Sequence, residues 1–164
     1  MRKVLALLVV AVLAAGCGGG TGTSGRGAND RLPDVTLASL TGGRPVDLGA
    51  LRGPAVVNLW AQWCAPCRRE LPIYESFHRA HHDRVAVLGV DWQDVQADAA
   101  RQLARESGVT YPLVVDSEPR IRANLLPRLL LVDADGRIAY QEYVEITSLG
   151  QLERLVEKHL GVVL

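Results

Sequence analysis

The chain has 164 residues, enough for one domain with a full hydrophobic core and too few for two. Its 48% hydrophobic and 22% charged residues are the balance of an ordinary globular protein. Lys and Arg (18) equal Asp and Glu (18), so the chain has no basic footprint and no nucleic-acid partner is expected.

Met1-Arg2-Lys3 is a short positive region, and Val4 to Ala15 is an unbroken apolar run ending in small residues before Cys17. That layout reads as a secretory signal over 1–16, too short to span a bilayer as a mature helix. "LAAGC" resembles a bacterial lipobox, with Ala14 where lipoboxes usually carry Leu. The resemblance implies a lipidated Cys17 and a chain anchored to the outer side of the cell membrane. The alternative is cleavage near Ala15–Gly16, giving a soluble secreted or periplasmic protein. Residues 17–30, rich in Gly, Ser and Thr, read as a flexible tether with a reach of about 20 Å. The folded domain is expected over 31–164. Export would place its thiols where they oxidise unless another protein keeps them reduced.

Within the domain, Val35–Leu37 and Pro45–Leu48 read as a hairpin turned by Gly42-Gly43. "PAVVNLWA" is a continuous apolar strand, and a helix is predicted from about Ala65 to His82, bent at Pro72. A buried strand follows at 85–90. Val95, Ala99, Leu103 and Glu106 predict a helix over 95–107 that Gly108 stops. "YPLVV" is a short strand, and 117–125 a brief helix. "RLLLVD" and "IAYQEYV" form a hairpin across Asp135-Gly136. Leu149, Leu152, Leu155, Val156 and Leu160 mark a closing amphipathic helix. Together these predict a layered α/β domain.

Cys64 follows a strand and Cys67 falls in the first turn of the next helix. This setting separates a redox pair from a zinc knuckle. The unpaired N–H groups and dipole of a helix start favour an anion and lower the pKa of the first thiol. Cys64 is thus the attacking thiolate and Cys67 the resolving thiol. Pro66 supplies a φ suited to a first turn. His78 and His82 follow at zinc-finger-like spacing, but about 16 Å of continuous helix would separate Cys67 from His78. One zinc ion needs ligands at about 2 Å. His78, His81 and His82 therefore read as decoration of a helix end. A structural disulfide fits poorly, since so small a loop removes little unfolded-state entropy.

"VVNLWAQWCAPCRRELP", with "LLPRLLLVDADGRI" some way on, resembles the TlpA/ResA-like branch of the thioredoxin superfamily. The resemblance covers about 32–160. It implies a thioredoxin-like fold: a central mixed β-sheet flanked by helices, with an N-terminal β-hairpin extension. It also implies an extracytoplasmic, membrane-tethered thiol–disulfide oxidoreductase, reducing partner disulfides and serving cytochrome c maturation. Trp63 would flank the nucleophile. Glu70, three residues after Cys67, would tune the thiols; the alternative is a solvated carboxylate on the helix face. Pro127 would be the cis-proline facing the disulfide, with the backbone at Leu126 pairing with substrate. The partners implied are protein disulfides or thiols and a membrane thiol redox donor. No cofactor or metal is expected beyond the Cys64–Cys67 disulfide. Asn58 stands where cytoplasmic thioredoxins carry a buried Asp. "EPRIRANLLP" is shorter than the family's approach to the proline, and Arg128-Leu129 replace its Thr-rich pair. Competing readings are an oxidising protein of the same fold, and a non-catalytic copper- or thiol-binding one.

Overall fold

The computed structural model describes residues 30–164. The expected signal over 1–16, Cys17 and the expected tether up to residue 29 lie outside the described residues. Ala55–Trp60 is a run of six residues buried on both faces. Such a strand is stable only in the middle of a covered sheet. In chain order the elements are β1 (Thr36–Leu37), β2 (Val46–Asp47), β3 (Ala55–Trp60) and α1 (Ala65–His81). They continue with β4 (Ala86–Trp92), α2 (Ala97–Glu106), β5 (Leu113–Asp116), β6 (Arg128–Val132), β7 (Ile138–Glu142) and α3 (Leu149–Leu160). β1 and β2 form a separate antiparallel pair, and the main sheet runs β5-β4-β3-β6-β7. β3, β4 and β5 are parallel, whereas β6 and β7 are antiparallel to their neighbours. This is the mixed sheet of a thioredoxin-like fold with an N-terminal two-stranded extension.

The two crossovers β3–α1–β4 and β4–α2–β5 step the same way across the sheet. Right-handed connections then place both helices on one face. Side chains of α1, α2 and α3 accordingly share one apolar cluster with Val56, Trp60, Leu129 and Leu131. The opposite face, built on Val57, Leu59, Val90, Trp92 and Leu130, is covered without helices, by Leu32, Leu37, Leu48 and Ile121. The hairpin extension also protects an edge. Leu40 donates its N–H to the Leu113 carbonyl (2.9 Å), and Val115 donates to Ala38 (2.9 Å). This continues the ladder past β5, where unpaired groups would otherwise be open.

Three expectations need correction. No helix forms over 117–125. The Asp116 carboxylate accepts N–H bonds from Arg120 (2.8 and 3.0 Å) and Ile121 (2.9 Å), and a side chain that bonds nearby backbone competes with helix. The Trp92 indole fixes the Ile121 carbonyl (2.9 Å), completing a chain of turns. Val95 lies outside α2 and is 86% exposed. The buried face is Ala100, Leu103 and Ala104. His81 is not surface decoration either: it is buried on α1, and its Nε2 meets Glu153 of α3 at 2.9 Å.

Candidate active site

β3 ends at Trp60, and Ala61 to Trp63 turn the chain into α1. The turn closes with the Cys64 N–H donated to the Ala61 carbonyl (3.1 Å). Cys64 is the helix cap: its backbone is extended (φ −84°, ψ 101°) and its Sγ accepts the Cys67 N–H at 3.3 Å. A cysteine sulfur thus occupies the place a capping Ser or Asp oxygen takes elsewhere. Pro66 sits in the first turn, where its missing N–H costs nothing, and that turn holds no acidic residue. Cys64 and Cys67 form a disulfide with Cα atoms 5.3 Å apart. Cys64 is 5% exposed and Cys67 fully buried, so an incoming thiolate meets Cys64 first. Trp63, 54% exposed, stands beside it as an apolar surface open to solvent.

Glu70 lies on the inner side of α1, 1% exposed. One carboxyl oxygen accepts the N–H of Ile146, and the other meets no donor. Burial outweighs the Ile146 bond and, with Glu145 adding to it, pushes the Glu70 pKa up to about 8. The alternative of a solvated helix-face carboxylate is therefore set aside. Asn58 is buried on β3 and faces the Tyr111 hydroxyl. Trp60 packs across Gly89 so closely that a Cβ there would stand 2.4 Å from Leu113 Cδ2 and 3.1 Å from Trp60 Nε1.

The β3–β6 register pairs Leu59 with Arg128, so Pro127 lies level with Trp60, at the sheet end where the Cys64 loop departs. The Leu126–Pro127 peptide bond is cis. Leu126 is half-buried and packs against the cluster that contains both cysteines. The segment before it is held from β7 and beyond: Asn124 donates its N–H to the Tyr143 hydroxyl (2.9 Å). The Arg128 guanidinium lies 4.5 Å from the Tyr143 ring centre and bonds that hydroxyl and Gln141. Arg128 thus takes up a bracing role at the position where the sequence departs from the family's Thr-rich pair. Sequence reasoning missed Asp91 and Asp94, both at most 1% exposed. Their signal was present in "VDWQD", an acid pair at the end of an apolar strand. Among the described residues no group of three His, Cys, Asp or Glu side chains could hold a metal ion.

Residues 27–156 match the Redoxin family. The chain is 28% identical over 146 residues to the thiol-disulfide oxidoreductase ResA of Geobacillus thermodenitrificans, spanning 84% of this chain and 83% of that protein. It is 32% identical over 137 residues to the thiol:disulfide interchange protein CycY of Rhizobium leguminosarum, spanning 77% and 68%. Among solved structures it is similar to a secreted thiol-disulfide isomerase from Corynebacterium glutamicum. That match has 28% identity and a TM-score of 0.63, over 77% of this chain and 85% of that one. The chain belongs to the Redoxin family, as a thioredoxin-fold thiol–disulfide oxidoreductase of the TlpA/ResA-like branch.

Proposed function

We propose that this chain is an extracytoplasmic reductant of protein disulfides, tethered to the membrane through a lipidated Cys17. An oxidised apocytochrome c is the substrate class the family resemblance favours. The observation that carries this reading is the Cys64–Cys67 disulfide at an acid-free helix start, with Cys64 the more accessible sulfur. In the reduced enzyme the Cys64 thiolate attacks one sulfur of the partner disulfide, and the other partner sulfur leaves as a thiolate. Cys67, once deprotonated, attacks Cys64 Sγ and expels the second partner thiolate. Two electrons pass to the partner, and the enzyme is left as the Cys64–Cys67 disulfide. A membrane dithiol then restores it by the same exchange in reverse. The pair is its own redox group, so the cycle needs no separate cofactor. Trp63 offers the partner an apolar face, and the backbone at Leu126 and Pro127 a place to pair.

The reducing direction is supported by the surroundings of the thiols. An oxidant is strong because its reduced thiolate is stabilised. Here Cys67 is fully buried, which disfavours a thiolate, and the Glu70 carboxyl one turn along the helix opposes one further once it ionises. We expect a potential nearer thioredoxin's roughly −270 mV than the roughly −120 mV of strong oxidants. Expressed with export, Cys67→Ser should accumulate disulfide-linked complexes through Cys64. A potential above about −160 mV would reverse the direction. Absence of any trapped complex while Cys64 stays alkylatable would remove exchange catalysis altogether.

A further inference from the structure

The turn after β4 brings two acids together beneath the loop that carries the disulfide. Gln93 adopts a left-handed backbone (φ 51°), uncommon for a residue with a side chain, and donates its N–H to the Asp116 carbonyl (3.0 Å). That reversal places Asp94 where its Oδ2 accepts the Gln62 N–H (3.0 Å) and its Oδ1 the Gln96 N–H (2.8 Å). Gln62 lies two residues before Cys64. Asp91, fully buried, is the register partner of Trp60 and alternates onto the helix-covered face with Val87. Neither of its carboxyl oxygens meets a donor. The Asp94 side chain is the hydrogen-bonding neighbour of Asp91, and two carboxylates bond to one another only when one carries a proton.

We propose that Asp91 and Asp94 are positioning residues that share one proton: Asp91 donates it to Asp94, and Asp94 anchors the Cys64 loop through the Gln62 N–H. Burial first, and the Asp94 charge second, push the Asp91 pKa up to about 8, so the shared proton is held at neutral pH. The charged groups acting on Asp91 are Asp94, from the β4–α2 turn, and Arg101 of α2. The Arg101 guanidinium is itself engaged by the Leu40 carbonyl (2.9 Å) and by Asp98. Its register partners on the flanking strands, Trp60 of β3 and Val115 of β5, carry no titratable group. Losing the proton puts two negative charges side by side in a buried pocket. The pair then separates and the hold on Gln62 weakens. The placement of Cys64 thereby follows the protonation of groups that never touch substrate. The consequence for Cys64 rests on the exchange function proposed above, whereas the anchoring itself does not.

The test uses carboxyl-carbon NMR and amide hydrogen exchange on the oxidised protein, neither of which needs a substrate. Asp91 should titrate near pH 8. Across that transition the Gln62 amide should exchange about tenfold faster than base catalysis alone predicts, as loss of one charge-assisted bond requires. Asp91→Asn, which can still donate to Asp94, should keep Gln62 protected and erase the transition. Asp94→Ala should expose Gln62 at every pH. Because Glu70 titrates in the same range, both measurements are repeated in Glu70→Gln, where the Asp91 transition should persist. An Asp91 that titrates as an ordinary carboxylate overturns the proposal, and this needs only the unmutated protein. Equal Gln62 protection in Asp94→Ala and wild type overturns it independently. In reduced protein, the pH profile of Cys64 alkylation should lose its inflection near 8 in the Asp91→Asn/Glu70→Gln double variant.

Discussion

The two faces of the central sheet are covered differently and contain different chemistry. The helix-covered face buries Cys64, Cys67, Asn58, Glu70, Glu75, His81 and Asp91. The face covered by the N-terminal segment and the 117–126 turns buries a nearly pure aliphatic layer with Trp92. A helix start supplies oriented N–H groups and α1 carries acids inward, so polar groups on that side have something to answer to. Coil draped over a sheet offers mainly side chains, and its own backbone must be satisfied locally, as by Asp116. One face therefore does chemistry and the other supplies stability.

Leu129 and Leu130 give the sharpest way to break that division. They are neighbours on β6, both at most 2% exposed, and they point to opposite faces. Either Leu→Ala change should cost about 2–5 kcal/mol by chemical denaturation. Only Leu129→Ala, in the cluster that contains both cysteines, should also change the rate of Cys64 alkylation and the potential. If Leu130→Ala moved the potential equally, the two layers would not be functionally separate.

Glu70 predicts how stability on the helix-covered side depends on pH. In the unfolded chain it releases its proton near 4.5, and in the fold near 8. Between those values the folded state holds a proton the unfolded state has lost. Stability therefore falls as pH rises through that window and levels off above about 8. Asp91, raised from 3.8 to about 8, adds a slope of the same sign. Glu70→Gln keeps an oxygen for the Ile146 N–H and removes the titration. It should be close to neutral at pH 5 and stabilising at pH 8 by on the order of a few kcal/mol. Denaturation curves for the two proteins at five pH values would check this. Parallel curves would mean that Glu70 is ionised in the fold.

Much of this site was legible because it depends on local pattern. The strand–Cys–x–x–Cys–helix order, with Pro66 in the first turn, states its own geometry, and apolar runs located β3, β4 and β6. What could not be read depends on three-dimensional neighbours. Glu70 reads equally as a solvated or a buried acid until α3's approach places Ile146 over it. Asp91 and Asp94 sit in a strand and a turn that look ordinary, and their meeting depends on the left-handed Gln93. The 117–125 segment has the composition of a helix but is not one, because Asp116 satisfies the backbone that a helix would use. His81 looked like its neighbours His78 and His82 until α3 brought Glu153 against it.

Glu75 is the counterpart that sharpens the comparison within one helix. It lies five residues beyond Glu70 and is also buried, but its oxygens are fully used. They accept from Arg79 Nε (2.6 Å), Thr110 Oγ1 (2.8 Å) and the Thr110 N–H (2.7 Å). Burial alone would raise its pKa, but these bonds together outweigh burial and lower it. Its sign is the reverse of Glu70's: the stability it contributes is present above the unfolded value of 4.5 and is lost as pH falls through the folded one. Glu75→Gln turns a donor toward Thr110 and should cost about 1–3 kcal/mol at neutral pH. Arg79→Ala should cost less than about 1 kcal/mol, because that guanidinium is 67% exposed. Neither change should move Cys64 alkylation or the potential, since Glu75 fastens α1 to the segment before β5 rather than to the disulfide. A shift in either readout matching that of Glu70→Gln would show that the whole inner face of α1, and not its first two turns alone, sets the chemistry of the pair.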